Sequence, residues 1–268
     1  MMKKWIAAAL GAVMLTATLS GCGQDASDWD YIQKKGTLVI GYTVFEPMNY
    51  MDENGNLIGF DTELAEAVCD KLGVKPEFVE IDWDNKIMEL NSKKIDCAWN
   101  GMTILDELKD SIDFSMPYSE NYQACVIRKT DADKYKSTAD MVSARIGVES
   151  GSAGETTVKQ DENLSKANIT SLTAQRNTLL ELKAGTLDVA VIDGVMAKAM
   201  VGDNTDFSDL MVVPDLQLSK EEYGIGFRKN SPETVEKVNE ALQELANEGK
   251  IQELAEKYPS VMVTLQAQ

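Results

Sequence analysis

Residues 89–98 read ELNSKKIDCA, and residues 181–190 read ELKAGTLDVA. Both fit E-L-x-x-x-x-(I/L)-D-x-A, which reads as the end of a helix, a tight turn and an apolar strand. Identity at these positions has two readings, a coincidence between two α/β units or two lobes built alike. Working outward, Thr37-Leu38-Val39-Ile40 is a β-rich run closed by Gly41. Asp61 can cap a helix with Leu64, Ala67, Val68 and Leu72 at helical spacing, and Gly73 can stop it. Residues 78–81 read as a strand, 84–91 as a helix and 95–99 as a strand. This alternation predicts a largely parallel sheet with helices on both faces. Ligands of open α/β sheets bind beyond the carboxyl ends of the strands. Those ends fall at Gly101-Met102-Thr103 in the first unit and at Asp193 in the second, so two lobes would present them to a shared cleft.

The last part of the chain extends this pattern. Tyr223-Gly224-Ile225-Gly226-Phe227 is an apolar run, followed by a helix with Ser231 as cap and Pro232 at its first position. Val235, Val238, Leu242 and Leu245 share one face, and Ile251, Leu254 and Ala255 continue a short terminal helix to Tyr258. A return of these pieces to the first lobe predicts two crossings, near residues 126–129 and 219–226, and hence a hinge.

With 268 residues, 44% hydrophobic and 26% charged, the chain is large enough for two lobes with packed cores. The formal charge of −18, which becomes −20 without Lys3 and Lys4, argues against nucleic-acid backbones and anionic membrane patches as partners. The absence of histidine excludes imidazole-based triads and most zinc sites, and no metal or cofactor is expected. Lys3 and Lys4 precede an apolar run over residues 5–19, too short for a membrane span. The run ends in Leu19-Ser20-Gly21-Cys22, which resembles the lipobox of bacterial lipoproteins. That resemblance implies cleavage before Cys22, a lipid on its sulfur and a polar tether behind it. The remaining cysteines, Cys69, Cys97 and Cys125, form no CxxC pair and read as small core residues.

Seven stretches in one order are similar to the polar amino-acid family of periplasmic-type binding proteins, bacterial extracellular solute-binding proteins of family 3. They are residues 47–50 (PMNY), 59–64 (GFDTEL), 95–96 (ID) with 101–103 (GMT), 113–118 (DFSMPY), 151–155 (GSAGE), 187–193 (LDVAVID) and 223–226 (YGIG). The resemblance implies an α/β chain of two doubly wound lobes joined by a two-strand hinge, the type II periplasmic-binding fold. The expected division is a leader (1–21), a lipidated tether (22–36), lobe 1 (37–127), lobe 2 (128–219) and a return to lobe 1 (220–264).

It further implies a lipid-anchored monomer on the outer face of the cytoplasmic membrane. Such a protein captures a small amino acid or amine by lobe closure and passes it to ABC permease subunits. Phe45 and Trp83 fall at the family's aromatic walls, where opposed rings bury apolar parts of a ligand and attract a cation. Gly101 and Thr103 fall where its backbone and hydroxyl bind the ligand, with Asn100 and Met102 beside them. Ser152 and Ala153 open a helix whose free N–H groups favour an anion, and Asp193 matches the acid that pairs with the ammonium. Where the family has an arginine that grips the α-carboxylate, this chain has Leu108, followed by Lys109. The other arginines, Arg128, Arg145, Arg176 and Arg228, read as lying away from the cleft. The site is therefore expected to demand an ammonium more strictly than a carboxylate. A ligand-sensing lipoprotein or a dehydratase-like enzyme on the same fold are the alternatives. The enzyme would need its acid or base among Glu46, Glu149, Glu155 and Asp193.

Overall fold

The computed structural model describes residues 27–268, so the leader and Cys22 lie outside the described residues. Its first element is a helix where a tether was expected. Helix α1 (Asp28–Lys35) carries a Ser27/Asp30 capping box, ends on Gly36 in the left-handed conformation, and buries Trp29 and Ile32 one turn apart. Its Asp28 accepts two hydrogen bonds from the Arg228 guanidinium. The tether assigned to residues 22–36 is corrected accordingly: residues 28–35 are docked on lobe 1, because two apolar side chains at helical spacing gain more by burial than as a solvated linker.

Lobe 1 continues through β1 (Thr37–Tyr42), the hairpin β2 (Tyr50–Met51) and β3 (Leu57–Ile58), α2 (Phe60–Leu72) and β4 (Lys75–Glu80). A 3-10 turn at Trp83–Asn85 runs into α3 (Lys86–Asn91), then β5 (Cys97–Thr103), a second 3-10 turn (Asp106–Leu108), β6 (Ile112–Phe114) and β7 (Ser119–Asn121). Lobe 2 holds β8 (Gln123–Arg128), β9 (Arg145–Glu149), α4 (Ala153–Gln160), β10 (Asn168–Leu172), α5 (Gln175–Ala184), β11 (Val189–Asp193), α6 (Gly194–Met200) and β12 (Leu210–Gln217). The chain returns to lobe 1 as β13 (Glu221–Arg228), α7 (Pro232–Asn247), α8 (Lys250–Lys257) and β14 (Met262–Val263).

The strand order is β14-β7-β13-β5-β1-β4 in lobe 1, with β6 also on β13, and β10-β9-β11-β8-β12 in lobe 2. Each sheet has a parallel trio flanked by an antiparallel strand, β13 on β5 and β8 on β11. The sheets are thus more mixed than the alternation predicted, because the strands arriving through the crossings run against the trio. The first crossing also lies earlier than expected. β8 pairs with β11 and β12 along its length, so the lobes change between residues 121 and 123, not at 126–129. The buried run from Ala124 to Ile127 belongs to the lobe 2 core. The return crossing falls between Gln217 and Glu221.

The repeated decapeptide has a structural counterpart in both lobes. Asp96 accepts the Val39 N–H at 2.7 Å and the Arg228 guanidinium at 3.0 Å. Asp188 accepts the Arg145 N–H at 3.0 Å and the Arg128 guanidinium at 3.3 Å. Each aspartate precedes the third strand of its trio, ties it to the first, and receives an arginine from the last residue of the antiparallel neighbour. The two lobes are built alike. Helix α2 departs from expectation at its start: Gly59 is the cap, and Asp61 is fully buried inside the first turn. Cys69, Cys97 and Cys125 are buried free thiols, as their apolar surroundings predicted.

Candidate ligand-binding site

The lobes meet over a narrow cavity lined from both sides. Lobe 1 lines it with Phe45, Trp83, Lys86, Asn100, Gly101, Met102, Thr103, Leu105 and Leu108, and lobe 2 with Glu149, Gly151, Ser152, Ala153, Gln175 and Asp193. All nine ligand-binding candidates read from the sequence therefore border one space, at the carboxyl ends of β5 and β11. Lys86, Glu149 and Gln175 join them without having been singled out as binding residues.

The candidates differ in what they can still offer a ligand. Phe45 and Trp83 are buried walls. Gly101 has φ +56°, and a Cβ there would meet the Phe45 ring at 2.7 Å and the Tyr223 ring at 3.1 Å, so only glycine fits. Its N–H donates to Asp61 at 2.6 Å and is engaged inside lobe 1, so the backbone contact expected there is not free. Asn100 is likewise fully engaged: its carbonyl oxygen accepts from the Thr43 N–H and hydroxyl, and its amide donates to the Thr43 carbonyl and to Asn49. It orders the chain leading to Phe45. Met102 packs its sulfur against Gly226, and the Thr103 hydroxyl donates to Glu221 at 3.1 Å.

From lobe 2, Ser152 caps α4 by accepting the Glu155 N–H at 3.1 Å, which leaves its own hydroxyl proton to donate. Asp193 ends β11 and is cradled by amide side chains from Asn121, Gln123 and Gln175. Burial, then the nearby Glu221 charge, raises its pKa, and the amide donors oppose that rise. Glu149 ends β9 and is also buried. Its pKa is pushed up to about 8 by desolvation and by the Asp193 charge, against the pull of Gln175, Lys86 and Thr43. Its Oε1 has no hydrogen-bond partner among the described residues. Two carboxylates thus stand desolvated without a contacting cation, which is costly unless a cationic group answers them.

Leu108 lies on its 3-10 turn as a cavity wall in the cluster of Trp83 and Met102. Lys109 does not replace the missing arginine, because it is exposed and pairs with Asp106 at 2.6 Å, outside the cavity. Arg128, Arg145 and Arg228 bind the clamp aspartates and carbonyls at the far ends of the strands. Arg176 is exposed and acts on Glu46, so it sits nearer the cleft than the sequence suggested, though outside the lining.

The family model of bacterial extracellular solute-binding proteins, family 3, matches residues 38–261. The arginine-binding extracellular protein ArtP of Bacillus subtilis is 32% identical over 263 residues, 96% of this chain and 98% of its own length. The L-cystine-binding protein TcyJ of Escherichia coli is 28% identical over 261 residues, 96% of each chain. A solved amino acid ABC transporter substrate-binding protein from Streptococcus pneumoniae, bound to L-arginine, superposes with a TM-score of 0.79 at 32% identity, covering 89% of this chain and 100% of its own.

Proposed function

Since the chain belongs to the bacterial extracellular solute-binding proteins, family 3, we propose that it captures a basic amino acid outside the cytoplasm and delivers it to the permease of an ABC importer. The fold is the two-lobed α/β architecture of type II periplasmic-binding proteins, and the solved relative from Streptococcus pneumoniae is a substrate-binding protein bound to L-arginine. The observation that carries the ligand class is the set of ionisable groups lining the cavity: among the described residues, the two carboxyl groups of Asp193 and Glu149 against the one ammonium of Lys86. Amide donors hold Asp193 but do not neutralise it, so the α-ammonium belongs there. The unpartnered oxygen of Glu149 suits a second cationic group on the ligand. Phe45 and Trp83 cover the apolar stem between these ends.

In this reading the protein works as a monomer anchored through a lipid on Cys22 to the outer face of the cytoplasmic membrane, and closes its lobes over the ligand. Calorimetry with L-arginine, L-lysine, L-histidine and L-cystine tests the ligand class. Arginine or lysine is expected to bind tightest, and no heat from any of the four removes the proposal. Cys22→Ala is expected to move the protein from membranes to the soluble fraction, and unchanged membrane association removes the anchor.

A further inference from the structure

We propose that Lys86 supplies the cleft's carboxylate handle, reaching the ligand from the first residue of α3 while Leu108 leaves the 3-10 turn apolar. This inference rests on the amino-acid reading of the site. Among the described residues Lys86 is the one cation lining the cavity, and it is 5% exposed. Its Nζ donates to the Gly151 carbonyl at 2.8 Å and to the Trp83 carbonyl at 3.2 Å. An ammonium has three N–H donors, so one is left without an oxygen acceptor among the described residues, with the Trp83 ring centre 5.1 Å away. No described carboxylate forms a salt bridge with it. Desolvation lowers its pKa, and the charges of Glu149, Asp84 and Glu155 oppose that shift. Glu149 nonetheless keeps Oε1 unpartnered, so the two do not neutralise each other by contact. A buried cation held by neutral carbonyls gains most from an anion placed beside it.

The position suits a carboxylate. The bond to Gly151 puts Nζ next to the start of α4, where the Ser152 hydroxyl has a proton to donate and the first turn favours negative charge. Lys86 comes from lobe 1 and α4 from lobe 2, so a carboxylate between them would touch both. Asp193 receives the ammonium from the end of β11, and the ligand's charges would be answered in the same cavity by groups of opposite sign.

Because Lys86 also bridges the lobes, its removal can weaken every ligand through closure alone, so the test reads a ratio. Dissociation constants are measured for L-arginine and L-argininamide with the wild type, Lys86→Met and Lys86→Arg. If histidine or lysine binds tighter, its own amide takes the place of argininamide. The wild type should prefer the acid by about tenfold or more. Lys86→Met should bring the pair to within about twofold, and Lys86→Arg should keep the preference; the extra charge of the amide is common to all three proteins and cancels in the cycle. If Lys86→Met does not fold, Lys86→Gln carries the same comparison. A preference that survives loss of the ammonium assigns Lys86 to the interlobe contact alone and overturns the inference, as does a wild type that binds acid and amide equally. A wild type that binds none of the four amino acids overturns the proposed function and takes this inference with it.

Discussion

Glu149 and Asp193 are acids kept from water in a cavity where Lys86, the one lysine among the described lining residues, forms a salt bridge with neither. That arrangement gives the ligand-free protein a pH dependence of unusual sign. The folded-state pKa of Glu149, about 8, lies above the ordinary 4.5. A raised folded pKa contributes stability that is present below the unfolded value and lost as pH rises through the folded one. The ligand-free melting temperature should therefore fall between about pH 5 and about pH 8. Glu149→Gln should flatten part of that fall, and the increment produced by L-arginine should grow over the same interval as cation replaces proton. Thermal melts of both proteins, with and without arginine, check this, and a Glu149→Gln protein that keeps the full slope refutes it. Asp193→Asn should weaken arginine binding by about ten- to a hundredfold in calorimetry, the worth of a charged hydrogen bond; an unchanged constant would dismiss Asp193 as the ammonium site. The strand ends at Gly101-Met102-Thr103 and Asp193 were legible from the alternation of elements, whereas Phe45 and Trp83 came from the resemblance to the family. The sequence did not single out Lys86, which reads as a charged residue at a helix start, where such side chains are usually exposed. Its bond to the Gly151 carbonyl of lobe 2 depends on an approach that no local pattern encodes.

Between the elements, a close interlobe approach lies at Gly151, just before α4, beside the 3-10 turn of lobe 1. Its φ is +69°, and a Cβ would stand 2.7 Å from the Asp84 Oδ1 and 2.9 Å from its Cα. Gly151→Ala combines a backbone cost of roughly 1 kcal/mol with a clash against lobe 1 main chain. Gly185, at the end of α5 with φ +83°, would have nothing within 4 Å of an added Cβ and serves as the control. Gly185→Ala should lower the melting temperature and leave arginine affinity alone, whereas Gly151→Ala should cut affinity by about tenfold for a similar loss of stability. Equal affinities in the two variants would show that the Asp84 contact is not needed for binding. At this scale the sequence was most legible where a pattern repeats. The two decapeptides mark equivalent clamps, Asp96 with Arg228 and Asp188 with Arg128. The lobe boundary was misplaced because the run from Ala124 to Ile127 reads as a strand without saying which sheet receives it. The helix from Asp28 was missed because its two buried apolar residues, Trp29 and Ile32, are too few for a periodic signal.

For the molecule as a whole, the site is built on the hinge. Asn121 ends β7 at one crossing, Gln123 begins β8 beyond it, and Glu221 begins β13 after the other. Both amides donate to Asp193 and to Glu221, so the carboxylate that would meet the ligand's ammonium is bonded to residues on either side of the crossings. Polar contacts between the lobes beyond this knot include Lys86 with Gly151 and Thr156 with Glu107. On the proposed reading, closure without ligand would keep Glu149 and Asp193 from water while gaining such bonds, so as pH rises and the acids ionise, like charge and lost hydration would favour opening. A cationic ligand would reverse that balance by pairing the acids as the lobes meet, and would shift the population only as far as it prefers the closed form. The radius of gyration in solution scattering should therefore be smaller with saturating L-arginine than without it. At low pH, where the acids are protonated, the ligand-free protein should move toward the smaller value. Gln123→Leu removes a donor to both carboxylates and should weaken the coupling, leaving the two radii closer together. Identical radii for the wild type in both states, with binding measured on the same sample, would refute closure as the means of capture.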